Sequence, residues 1–467
     1  IAQELGGENF AADVQEVDTK FRVWTSRARD RNPDHMILVE MAERTPHINV
    51  YEWTDIISKH LIHGFKQTEL IYVHKFPGLY LTDRIVAEYR DSPRAAMNWI
   101  TMVVHYYLIW ASSYRLQNMT TKGVSKCEDY VWTVAPFALQ ALYAQTHVSV
   151  NQVEVAKHMF KHMSYAIQQK FNWMMDRPRQ EALERFGSLL LVIGVPDGLY
   201  SPLAMDKQYS YLPKFKAPFV SSIVAALEAK AKYDLFNFMM TRLGISSAAA
   251  RWKMMHLLAA AETRGFDIST NAFYAPFYMT IFIPTPMLEM PFMDLDMPAS
   301  SYAGLGHTIA HEAMHAFDMG HIDNRLSGMR GAWGYDINGS FSQRVDCIVR
   351  LYDRLIIEPG KNYTTSTLYE NMADISGMEL TLAAMQNDSC YRPDVQSALM
   401  ANTTQKQLFF IAYCHQYCSS KASRDRYQIS GHPHDMHRCN VVVNLFSEFR
   451  EAFGCPVTGT EQCHYLT

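Results

Sequence analysis

Gly306-His307-Thr308-Ile309-Ala310-His311-Glu312-Ala313-Met314-His315-Ala316-Phe317-Asp318 is the stretch on which the reading of this chain turns. His311 and His315 stand four residues apart, so on a helix they share one face and both imidazoles can reach a single zinc ion. Glu312 follows the first of them, placed to take a proton from a water on that metal. The flanking Ile309, Ala310, Ala313, Met314 and Phe317 are apolar and describe a mostly buried helix. The pattern alone could arise by accident. A buried helix that holds two histidines and a glutamate must satisfy them, however, and a metal does so best.

The rest of the composition narrows the class. The chain has 467 residues, 48% hydrophobic and 19% charged, enough for two or three domains with real cores. Its net charge of −4 offers no basic field for nucleic acid or an anionic membrane. Residues 95–114 are apolar enough to suggest a membrane span, but Asn98 and His105 interrupt them and no basic flanks frame them. A buried core helix is the reading. The chain begins at Ile1 without an initiator methionine or signal-peptide pattern, as a mature or trimmed product would. Eight cysteines, seven of them in the last third, fit disulfides in an oxidising compartment. Sequons at Asn118, Asn338, Asn362, Asn387 and Asn402 point the same way, to an extracellular or lumenal glycoprotein.

Apolar periodicity predicts helices over Ala96–Trp110, Tyr130–Gln145, Val153–Met174 and Phe219–Leu258. Ile193-Gly194-Val195-Pro196-Asp197-Gly198 breaks that run as a turn. A soft domain boundary is expected near 235. Asn271–Pro284, with β-branched and aromatic residues in partial alternation, reads as a strand or hairpin whose edge could receive an extended peptide. Pro284–Pro298 reads as a Met/Pro-rich loop with core-filling methionines. Further helices are expected over Arg344–Ile357 and Thr367–Met385, the latter opening with Thr367-x-x-Glu370 as a capping box unless Glu370 is a ligand.

Zinc held by two histidines needs a third protein ligand, with the fourth position left open. Three residues compete. His307 lies one turn before His311, but a third turn of the same helix points past the ion. His321 has the metzincin spacing, yet Asp318 stands where that motif needs glycine. Glu370, in Glu370-Asn371-Met372-Ala373-Asp374, places a carboxylate and a second acid one turn apart. Glu370 could bind the metal while Asp374 accepts the free N–H of a liganding imidazole. That set is chemically the most complete.

Several ordered blocks resemble the neprilysin / endothelin-converting-enzyme family of zinc metalloendopeptidases. They are Asn271-Ala272-Phe273-Tyr274, Pro291-Phe292, Ser301-Tyr302-x-Gly304-x-Gly306 leading into the histidine motif, and Glu370-Asn371-x-Ala373-Asp374. Gln407-Leu408-Phe409-Phe410, His432 with Arg438, and Phe449-x-x-Ala452-Phe453-x-Cys455 follow. Tyr107-Leu108-x-Trp110, Cys127 and Ile193-Gly194-x-Pro196-Asp197 fit in the first half. The resemblance implies His311, His315 and Glu370 as ligands of one Zn2+ ion and Glu312 as general base. It implies Asp374 and Asp318 as partners that orient His311 and His315, and His432 as a donor to the oxyanion. Asn271, Ala272 and Arg438 would hold the substrate backbone. Met287, Phe292, Thr308 and Tyr417 would line the pocket for an apolar residue after the scissile bond. Cys347 and Cys463 match a family disulfide. Cys127, Cys418 and Cys455 match cysteines whose family partners precede the aligned region, so an N-terminal segment or a second chain is expected to complete them. Cys390, Cys414 and Cys439 have no family counterpart. The chain departs from the family at Ala310 and Ala316, after Asp318, and at Cys463-His464-Tyr465-Leu466.

The expected fold is therefore mainly α: a two-lobed ectodomain with a thermolysin-like catalytic lobe carrying a small β element over 236–467, and a helical cap lobe over 1–235. The expected activity is hydrolysis of internal bonds in short peptides, before an apolar residue. The rival reading is a catalytically silent relative that only binds peptides.

Overall fold

The computed structural model describes residues 2–28, 34–59, 66–68, 70–73, 76–112, 131, 133–195, 201–215, 218–242, 270–275, 279–318, 339–355, 363–391, 400, 402–419, 431–456 and 463–467. Among the described residues the chain is mainly α-helical with two small sheets, and it divides into two compact units. One comprises residues 1–135 and 207–261; the other comprises 136–206 and 262–467. The boundary expected near 235 is not where the units part. Residues 136–206, read from sequence as part of the first lobe, join the second because their apolar faces belong to its core.

In the first unit, α1 (Ala2–Arg27) packs against α4 (Arg94–Ser112), with α2 (Val50–Ser58) and α3 (Phe76–Tyr89) alongside. Strands β1 (Asp34–Ile37) and β2 (Leu70–Val73) pair antiparallel. Arg94 and Asn98 of α4 both donate to Asp13 of α1, at 3.0 and 2.8 Å. No helix among the described residues is long and apolar enough to cross a membrane.

The second unit is built around α10 (Tyr363–Gln386), and its core helices are α6 (Val150–Ala166) and α8 (His307–Met314). From Asn371 to Leu382 every side chain of α10 is buried, which marks a helix enclosed on all sides. Around it lie α5 (Pro136–His147), α7 (Asp176–Gly187), α9 (Ser340–Leu355), α11 (Gln405–His415), α12 (Asp435–Leu445) and α13 (Ser447–Phe453). The hairpin expected before the histidine motif is present: β4 (Phe273–Ala275) and β5 (Thr280–Ile283) pair antiparallel. A strand not foreseen, β3 (Leu190–Ile193), pairs in parallel with β5, so the order is β3-β5-β4 and β4 is an edge. Met287 and Met293 are buried core residues, as a filling role requires.

The capping-box reading is corrected. Helix α10 begins at Tyr363, so Thr367 lies inside it and bonds back to the Tyr363 carbonyl at 3.1 Å. Glu370 therefore caps nothing and is free for another task. Cys347 and Cys463 form a disulfide, and so do Cys414 and Cys439, a pairing that sequence left open. Cys390, Cys418 and Cys455 are free and exposed among the described residues, and Cys127 lies outside them.

Candidate metal centre

The histidine motif is delivered by a tight approach of two helices. Residues 302–306 form a π-type turn that runs straight into α8. A side chain on Gly304 would collide with the backbone of Phe292, and Leu305 donates to the Phe292 carbonyl at 2.8 Å. On the opposite helix, Gly377 brings the α10 backbone against His311. A Cβ there would lie 3.0 Å from the His311 nitrogen and 3.1 Å from its Cα. Small residues permit this crossing, and the crossing sets Glu370 beside the histidines.

Three ligand atoms converge. Nε2 of His311 and Nε2 of His315 are 3.1 Å apart; Glu370 lies 3.2 Å from the first and 3.6 Å from the second. Zinc ligands at about 2.0–2.2 Å in tetrahedral geometry lie about 3.3–3.5 Å from one another, close to these separations. The other ring nitrogens face carboxylates. Nδ1 of His311 is 2.8 Å from Asp374, and Nδ1 of His315 is 3.2 Å from Asp318. With both Nδ1 atoms facing carboxylates, both Nε2 lone pairs face the same point. Glu370 Oε2 is buried and, among the described residues, accepts no well-aligned hydrogen bond. Two imidazole nitrogens and one carboxylate with an orphaned oxygen fit a zinc ion.

The surrounding charges support the set. Asp374 is fully buried, and Arg438 grips it with Nε at 2.8 Å and Nη2 at 2.7 Å. Burial would raise the Asp374 pKa, but Arg438 and His311 hold it well below the usual range. Burial acts against a charged His311, yet contact with Asp374 and Glu370 pushes it up to about 10. Burial likewise opposes ionised Glu370, and His311, His315 and His432 outweigh it, leaving about 2.

Of the competing third ligands, the structure brings Glu370 to the histidines. His307 is buried elsewhere, with Nε2 3.2 Å from the Asp374 backbone carbonyl and its ring edge-on to Tyr413; burial pushes its pKa down to about 3. His321 lies outside the described residues. Glu312 is 7% exposed on the same helix. His432 reaches the cluster, with Nε2 3.2 Å from Glu370 Oε2. Asn271 is exposed and Ala272 buried, immediately before edge strand β4. Among the pocket candidates, Met287 is closed into the core, whereas Phe292, Thr308 and Tyr417 are half-buried. Arg438 also lies over the Tyr417 ring, 4.8 Å from its centroid. Asn387 and Asn402 are exposed; Asn118, Asn338 and Asn362 lie outside the described residues.

Sequence reasoning missed two contacts that hold the motif. Arg185 Nε donates to the Ala316 carbonyl at 2.7 Å, and the Tyr465 hydroxyl donates to that of Phe317 at 2.9 Å. They satisfy carbonyls at the end of the motif helix that have no intrahelical partner. Glu379 of α10 in turn accepts the backbone N–H groups of Tyr465 and Leu466, at 2.6 and 3.1 Å. No local signal links positions so far apart in sequence.

Comparison with known proteins bears on the family and the fold. Residues 271–463 match the sequence profile of peptidase family M13. Human endothelin-converting enzyme-like 1 is 27% identical over 330 residues, covering 68% of this chain and 40% of that protein. Neprilysin-3 of Drosophila melanogaster is 25% identical over 397 residues, covering 78% of this chain and 48% of that protein. The chain thus spans half or less of the length of these relatives. A crystal structure of a Mycobacterium tuberculosis zinc metalloprotease superposes with TM-score 0.62 at 18% identity, covering 98% of this chain and 70% of that one. PepO of Lactobacillus rhamnosis gives TM-score 0.62 at 17% identity, covering 98% and 70%. These likenesses establish the shared fold. Residues 271–463 thus carry the profile of peptidase family M13, and the chain is similar to neprilysin and endothelin-converting-enzyme relatives over 68–78% of its length.

Proposed function

We propose that this chain is a zinc-dependent endopeptidase that hydrolyses internal bonds of short peptides before an apolar residue, in an extracellular or cell-surface setting. The observation that carries the reading is the convergence of His311, His315 and Glu370, with Asp374 and Asp318 behind the two imidazoles. These three residues would hold the ion, which when bound supplies a Lewis acid for the scissile carbonyl and acidifies water.

The chain's own groups would do the rest. Glu312, on the same helix as His311, takes the proton of the attacking water and returns it to the leaving amide nitrogen. His432 donates to the carbonyl oxygen as negative charge develops there. Asp374, locked by Arg438, keeps His311 in one tautomer and one orientation. With two of its nitrogens committed to Asp374, Arg438 has its remaining one to offer a substrate carbonyl. Edge strand β4, preceded by Asn271 and Ala272, offers main-chain groups to an extended peptide. Phe292, Thr308 and Tyr417 form the pocket for the residue after the cleaved bond.

The test is digestion of a mixed peptide library, with cleavage sites mapped by mass spectrometry. Internal cuts before apolar residues, abolished by a chelator and restored by zinc, are expected. A zinc-loaded, folded protein that cuts no peptide would leave only a peptide-binding role.

A further inference from the structure

We infer that His158, His162 and Asp388 form a second divalent-metal site of the zinc class, separate from the centre built on His311.

The sequence supplies the same local device twice. His158 and His162 stand four residues apart on α6, the spacing that lets two imidazoles share an ion. Their Nε2 atoms are 2.9 Å apart, and Nε2 of His158 lies 3.7 Å from Oδ2 of Asp388. All three ligand atoms fall within 4.8 Å of one another. A tetrahedral zinc set spaces its ligand atoms by about 3.3–3.5 Å, so small ring rotations bring the three onto one ion.

The carboxylate is already oriented. The Asp388 side chain is 5% exposed; its Oδ2 accepts from the Tyr302 hydroxyl at 2.8 Å and its Oδ1 from the Cys390 backbone N–H at 2.8 Å. A buried carboxylate fixed by two donors, with an oxygen turned to two imidazoles, is how supporting contacts prepare a ligand. Of the two His162 ring nitrogens, Nε2 is the one that faces the cluster, 2.9 Å from Nε2 of His158. The His158 ring is half exposed, which leaves a route from solvent and an open coordination position. A plain hydrogen bond between the two imidazoles accounts for their own spacing, but not for a carboxylate held against them.

The three ligands come from two parts of one unit. His158 and His162 lie on α6, and Asp388 follows the end of α10, the helix that carries Glu370. Tyr302 opens the turn that leads into α8. A metal here would pin α6 and the end of α10 together, and through Tyr302 it would brace the start of the motif helix.

Zinc is titrated by calorimetry into the whole purified protein, metal-stripped and compared with its His158→Gln, His162→Gln and Glu370→Ala variants. Wild type should bind two equivalents per chain. His158→Gln, at a half-exposed position, should fold as wild type, retain peptide cleavage, and lose one equivalent or bind it at least tenfold more weakly. Glu370→Ala should lose the other equivalent and keep this one. The zinc-dependent rise in melting temperature beyond the first equivalent should vanish in His158→Gln and in His162→Gln. A single equivalent in wild type, absent from Glu370→Ala, overturns the second site and leaves the peptidase reading intact. Two equivalents that persist in both histidine variants overturn it as well.

Discussion

Replacing Gly377 by alanine tests how the fold sets the metal centre. The new Cβ would lie 3.0 Å from the His311 nitrogen, 3.1 Å from its Cα and 3.4 Å from the Ala310 carbonyl carbon. All three are backbone atoms of α8 and cannot rotate aside, so the two helices must part by a few tenths of an ångström. Overpacking of this kind costs about 1–3 kcal/mol. Removing a glycine from a helix interior returns about 1 kcal/mol. The net loss is therefore at most about 2 kcal/mol, a few degrees in Tm for a unit of this size. The metal should notice more. Glu370 and His311 sit on the two helices being separated, and ligand distances tolerate only about 0.2 Å of error. Zinc affinity, measured by competition with a chromophoric chelator, should fall by at least about tenfold while the metal-free variant still unfolds cooperatively. Gly78→Ala, where an added Cβ meets nothing within 4 Å, is the control and should leave zinc binding unchanged. If Gly377→Ala binds zinc as tightly as wild type, the helix crossing does not position the ligands.

Other perturbations separate the remaining parts. Asp374→Ala should weaken zinc about 10–100-fold, and it should also destabilise the fold by about 3–5 kcal/mol because the buried Arg438 loses its partner; denaturant titration with and without zinc checks both. Burial pushes the Glu379 carboxyl up to about 7 from its ordinary 4.5. Its contribution to stability is thus greatest below that ordinary value and is lost as pH rises through about 7. Glu379→Gln should flatten the fall in Tm over that window, and an unchanged pH profile would show that Glu379 does not control docking of Tyr465 and Leu466. Reduction of Cys414–Cys439, which ties α11 to α12, should lower thermal stability, as differential scanning calorimetry of Cys414→Ser with Cys439→Ser would show.

Much of the candidate metal centre was legible because its parts are local. His311 and His315 share one face by helical period, and Glu370 and Asp374 lie one turn apart on another helix. The hairpin before the motif was visible in its alternation. What sequence could not supply was long-range. Strand β3 pairs with β5 some ninety residues later, and that parallel pairing draws 136–206 into the unit that carries the motif. Gly377 looks like a weak point in a helix until the helix it touches is known. Thr367-x-x-Glu370 has the letters of a capping box, but α10 starts a turn earlier, at Tyr363. The pair His158 and His162 was unremarkable without Asp388, which only the fold brings to it.

The most direct test of the central proposal is to measure zinc content and peptide cleavage together in Glu312→Gln. Glu312 lies beside His311 on α8 but is not one of the three converging ligands. Zinc content equal to wild type, with cleavage reduced by at least about 100-fold, is the expected result for a general base. Cleavage at the wild-type rate with zinc retained would contradict it.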